Sequence, residues 1–107
     1  MATVHIAIGY SKANDVRGFR IPLRQSLVSR SVVVTSTGTS AQSSLTATQE
    51  EINLSALWIV TVSGGAIDVT CGADPTAVST GSHRMLDGQV LELGISAIGE
   101  KIAIKDV

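Results

Sequence analysis

The chain has 107 residues, of which 44% are hydrophobic and 16% charged, with a formal net charge of −1. That is one domain's length, able to bury roughly two thirds of the surface its unfolded chain exposes. No apolar run approaches the ~18–20 residues of a membrane-spanning helix. The single cysteine, Cys71, rules out an internal disulfide framework and a thiolate zinc site, and a 3% aromatic content argues against a stacking platform for bases or sugars. The first residues show neither a basic region nor a long apolar stretch, so no signal peptide is expected.

The charge is divided along the chain. Residues 1–30 hold Lys12, Arg17, Arg20, Arg24 and Arg30 against the single acid Asp15, a net +4. Residues 31–107 hold three basic residues against eight acids, a net −5. Such a division suits a basic N-terminal arm that lies on an acidic surface, on a second copy or on a larger partner. Nucleic acid fits less well, because the basic residues are sparse and only Tyr10 and Phe19 accompany them.

In chain order, Val4–Ile8 alternates with period two and stops at Gly9, which reads as a strand with His5 on its polar side. Residues 10–18 read as a loop. From Phe19 to Val28, Phe19, Ile21 and Leu23 share one face, while Pro22 restricts the run to an edge strand or an extended arm. Ser31–Ser36 is a β-branched strand, and the polar stretch Thr37–Ser44 reads as an exposed loop. In Leu45–Leu54, Thr48 followed by Glu51 has the form of a capping box, compatible with one helical turn.

The stretch Ala56–Cys71 carries the clearest pattern. Two apolar-rich runs flank Ser63-Gly64-Gly65-Ala66, which reads as a hairpin turn. In that register Val62 faces Ile67, Val60 faces Val69 and Trp58 faces Cys71, all on one apolar side. The opposite side carries Ile59, Thr61, Asp68 and Thr70. Cys71 is thereby expected to be a buried small hydrophobe. Asp74-Pro75 and Asp87-Gly88 read as turns, and Lys101–Lys105 as a last strand with Ile102 and Ile104 inward. The whole reads as an all-β chain: one small β-sandwich or jelly-roll-like domain over residues 31–107, with residues 1–30 as a basic arm or edge strands.

The succession of Trp58 and Val60, a Ser-Gly-Gly turn, Gly72, Asp74-Pro75-Thr76-Ala77, Gly81-Ser82-His83, Asp87-Gly88 and Gly99-Glu100-Lys101-Ile102-Ala103-Ile104 resembles small structural proteins of tailed bacteriophages. The Ser/Thr-rich lead-in from Thr35 to Ser43 is similar too. The resemblance covers about residues 31–107 and leaves residues 1–30 without a counterpart. It implies a virion component, a capsid decoration or cement protein made in the host cytoplasm and carried on the capsid surface. Its partners would be the major capsid protein and neighbouring copies of itself, without nucleic acid, membrane or cofactor. The alternative is a tail- or fibre-associated β-sandwich module that binds a ligand or receptor.

No catalytic arrangement is legible. Ser82 and His83 are adjacent, so a strand points them to opposite faces and they cannot act as nucleophile and base. Neither His5 nor His83 has a carboxylate at metal-ligand spacing, and Asp68 with Asp74 is the one carboxylate pair that a turn could bring together. The expectation is therefore a protein without enzymatic activity. Its candidate partner-binding residues are Lys12, Arg17, Arg20, Arg24 and Arg30.

Overall fold

The computed structural model describes residues 1–14, 20–53 and 56–107, and for residues 10–14, 20–29 and 53 the backbone alone. Two four-stranded antiparallel sheets face each other. The first holds β1 (Thr3–Asn14), β2 (Arg20–Thr35), β4 (Ala56–Ser63) and β7 (Val90–Gly94) in the order β2-β1-β4-β7. The second holds β3 (Ala41–Gln42), β5 (Ile67–Gly72), β6 (His83–Met85) and β8 (Lys101–Asp106) in the order β3-β8-β5-β6. A five-residue helix, α1 (Gln49–Asn53), is the single helix among the described residues. The all-β sandwich expected from the sequence is the observed fold.

Register explains which side chains make the core. In the first sheet, one rung joins Val34, Val4 and Val62, the next Val32, Ile6, Val60 and Leu91, and a third Ile8, Trp58 and Leu93. In the second, Ile67 lies beside Met85, Val69 beside Ile104, and Cys71 beside Ile102. These residues form one apolar cluster between the sheets, with Val32, Val34, Leu91, Leu93 and Cys71 at its margin. Fully burying each aliphatic side chain is worth about 1.5–3 kcal/mol, which is why alternating apolar positions decide the sheet faces.

The connections differ from the sequence expectation in an instructive way. β4 and β5 do not pair with each other; they lie in opposite sheets. Val60 and Val69 do share the core, but across the sandwich and not as cross-strand neighbours. Gly64, at φ +88°, turns the chain from one sheet to the other. Gly88, at φ +84°, does the same between β6 and β7. A turn fixes the chain's reversal, and tertiary packing decides whether the second strand pairs or crosses over.

The N-terminal segment is the largest correction. Residues 3–10 are not an arm but an interior strand, paired on one side with β2 and on the other with β4. Val4, Ile6 and Ile8 are completely buried, while His5 is exposed as expected. Residues 10–14, expected as a loop, continue β1, and Phe19 lies outside the described residues. Ser31–Thr35 is not a separate strand but the end of β2, and Pro22 does lie in an edge strand.

Beyond Tyr10, opposite Ala56, β1 pairs, among the described residues, with β2 alone. Residues 11–14 and 20–24 thus form a two-stranded ribbon. Its register shifts between Ile8 and Gly9, between Gly9 and Ser11, and between Ser11 and Ala13, each time leaving extra residues on β2. Such bulges bend a strand and increase its twist. The molecule measures 42 × 25 × 24 Å.

Candidate interaction surface

Most polar chemistry near the core closes the ends of the sandwich. Arg30 sits where the ribbon joins the body. Its guanidinium donates to both carboxylate oxygens of Glu51 (Nη2–Oε1 2.6 Å, Nε–Oε2 3.2 Å) and to the Thr46 carbonyl. The expected capping box is present: the Thr48 amide donates to Glu51 Oε1 (3.0 Å), and the Glu51 amide donates to Thr48 Oγ1 (3.4 Å). Burial raises the Glu51 pKa, but hydrogen bonds from Arg30 and Thr48, with the Arg30 charge, outweigh it and hold the carboxyl below its usual value. One pair therefore fixes α1 to the base of β2.

A second cluster lies close by. Glu100 is only 3% exposed and accepts the indole N–H of Trp58 (2.8 Å) at Oε1. The Ser96 hydroxyl donates to its other oxygen (2.7 Å). The Ala47 backbone bonds to Gly99 and Glu100, joining this cluster to the loop before α1. Cys71 borders it: burial raises the thiol pKa, and the Glu100 carboxylate raises it further, so the thiol stays protonated. At the other end Ser36, fully buried, accepts from the Ala2 amide (2.8 Å) and donates to Asp106.

The remaining sequence candidates resolve similarly. Asp68 and Asp74 do not pair. Asp68 is 2% exposed and bonded to Arg84 across the strand pair (Nε–Oδ1 3.1 Å), whereas Asp74 accepts from Gln42 (2.7 Å). Ser82 Oγ accepts from the Val78 amide, and His83 is exposed in β6. Within Thr37–Ser44, expected as an exposed loop, Ser43 is buried, accepting from the Ile102 amide (3.2 Å) and donating to the Leu45 carbonyl (2.8 Å). Nothing in the sequence distinguished Ser43 or Glu100 from other small polar or charged residues, because their partners are 59 and 42 positions away. Among the described residues, no buried side-chain polar atom lacks a partner, and no three His, Cys, Asp or Glu side chains gather as a metal site would require.

What remains is surface. Of the five candidate partner-binding residues, Arg30 is held by Glu51 and belongs to the body. Lys12, Arg20 and Arg24 lie on the ribbon backbone, Arg20 opposite Asn14 and Arg24 opposite Ser11. Arg17 lies outside the described residues, between the two ribbon strands in the sequence. Of the body's acids, Glu51, Asp68 and Glu100 are buried, while Glu50, Asp74, Asp87 and Glu92 are exposed. Comparison with protein-family models, with curated proteins and with solved structures returns no match.

Proposed function

We propose that this protein is a non-enzymatic structural component of a tailed-phage virion, a decoration or cement protein that binds the major capsid protein on the shell. The observation that carries this reading is the ribbon. It extends past the last partner in β4 and holds the basic residues Lys12, Arg20 and Arg24 on its two strands. A ribbon of this kind can lie across the seam between neighbouring shell subunits while the sandwich rests on one of them. The ribbon's cations suit charge-assisted hydrogen bonds to acidic side chains on the shell. Each exposed ion pair contributes only about 0–1 kcal/mol, so stable attachment draws on many contacts repeated over a symmetric shell.

The test is co-sedimentation of the purified protein with capsids lacking it. The triple variant K12A/R20A/R24A is expected to stay folded and lose most capsid binding. Undiminished binding by that variant removes the ribbon from the interface. Absence of wild-type binding, together with retention on a glycan array, favours the tail- or fibre-associated ligand-binding module instead.

A further inference from the structure

Among the described residues, four strand edges bound the two sheets, those of β2, β7, β3 and β6. An unpaired edge offers a row of backbone donors and acceptors to any extended chain, and soluble proteins shorten, charge or bend their edges to prevent this. Three of the four are managed here. β3 has two residues and β6 three. β7 has five, but Glu92 stands at its centre, so pairing with its own copy about that residue would oppose two carboxylates. The outer half of β2 carries Pro22 and the register shifts of the ribbon. The inner half carries none of these devices. From Arg30 to Thr35 it pairs with β1 in unbroken register, and Ser31-Val32-Val33-Val34-Thr35 holds no charge, no proline and no glycine.

We propose that the free edge of β2 over residues 31–35 is a strand-addition site whose occupant is the same stretch of a second copy. The two strands run antiparallel about a two-fold axis at Val33. The stretch is nearly a chemical palindrome, S-V-V-V-T read against T-V-V-V-S, and this singles out a second copy over an unrelated strand. In that register Val33 meets Val33, Val32 meets Val34, and Ser31 meets Thr35. Every pair keeps its sheet face, because the pairing preserves the two-residue alternation. Val33, 62% exposed in the single chain, is covered by its counterpart. Val32 and Val34 pack against the core cluster from its margin, so their pairing continues the apolar layer from one sandwich into the next. β-Branched cross-strand pairs of this kind stabilise a ladder. The first sheets of the two copies become one sheet of eight strands, with both ribbons free. The inference does not rest on the capsid reading: an uncharged edge serves any assembly.

The test is the oligomeric state of the full chain by analytical ultracentrifugation. The wild type is expected to be dimeric, with little dependence on salt because no charge takes part. Val33→Lys opposes two ammonium groups at the axis and is expected to weaken the dimer by about tenfold or more. Its exposed position leaves the fold intact, checked by an unchanged melting curve, and Val90→Lys on the opposite edge serves as the control that stays dimeric. In a Cys71→Ala background, Val33→Cys is expected to form an intermolecular disulfide under mild oxidation, since opposed Cβ atoms lie roughly 4.5–5.5 Å apart. Thr35→Cys in the same background is expected not to, as its counterpart lies about four residues, or ~13 Å, along the strand. A monomeric wild type, a dimer unaffected by V33K, or cross-linking of T35C in place of V33C overturns the proposal.

Discussion

At the scale of single residues, Trp58 and Arg30 each hold a buried carboxylate in place. Trp58 both fills the core and satisfies Glu100, so its loss leaves a cavity and removes a donor from a buried carboxylate. Trp58→Ala should cost about 3–5 kcal/mol or more. Trp58→Phe, which keeps most of the volume, should cost about 1–3 kcal/mol from the lost hydrogen bond. Equal melting temperatures for the two variants would show that the indole N–H contributes nothing. Arg30 acts through Glu51. Because Glu51 has a depressed pKa in the folded state, its contribution is present above the ordinary glutamate value of roughly 4.3. It disappears as the pH falls through the lower folded value. Arg30→Ala should lower stability at neutral pH by about 1–3 kcal/mol and flatten the acid side of the stability curve. Denaturant titrations at neutral and acid pH check both parts. Cys71 is expected to react slowly with a thiol reagent in the native protein and quickly once unfolded, because burial and Glu100 keep it protonated. Rapid native labelling would remove it from the core margin.

At the scale of elements, β1 does two different jobs along its length. Its first half is an interior strand whose Val4, Ile6 and Ile8 are fully buried; its second half is one side of the ribbon. A chain beginning at Arg30 therefore lacks an interior strand and is expected not to fold, giving no cooperative melting transition. A chain in which residues 11–27 are replaced by a short Asn-Gly turn keeps every core strand and is expected to melt cooperatively. Retained folding of the first, or unfolding of the second, would reverse this division of β1. Long insertions and deletions in such excursions change loop-closure entropy only slowly, whereas deleting an interior strand exposes two neighbours at once.

At the scale of the whole molecule, part of the charge divided along the chain is paired inside it. The buried acids Glu51, Asp68 and Glu100 are each satisfied by side chains of the same chain, whereas Glu50, Asp74, Asp87 and Glu92 stay on the surface. The two contacts proposed above are expected to differ in salt dependence. Ribbon-mediated capsid binding should weaken steeply as ionic strength rises past about 0.15 M, where the screening length is ~8 Å. Association along β2 should not. Sedimentation of capsid mixtures and of the protein alone, each over a salt series, separates the two, and a common salt dependence would mean a common interface.

Much of this protein was determined by local chemistry and could be read without a structure. Alternating Val4, Ile6 and Ile8, then Trp58, Val60 and Val62, and Ile102 with Ile104 face the core because period two leaves a strand no other economical choice. The Thr48–Glu51 box and the turns at Gly64 and Gly88 depend on neighbours within a few residues, and all three are present. What only the tertiary structure decided was pairing. A glycine turn between two apolar runs is compatible with a hairpin and with a crossing between sheets, since both bury the same faces, and the choice lies with distant strands such as β1 and β8. For the same reason the sequence assigned residues 1–30 to an arm or to edge strands, and β1 to neither side of an interior pairing. Its net charge and Pro22 describe the ribbon, while the burial of β1 depends on β4, which begins more than forty residues later. Glu100, Ser36 and Ser43 became interior groups only when strands far apart in sequence brought their partners to them.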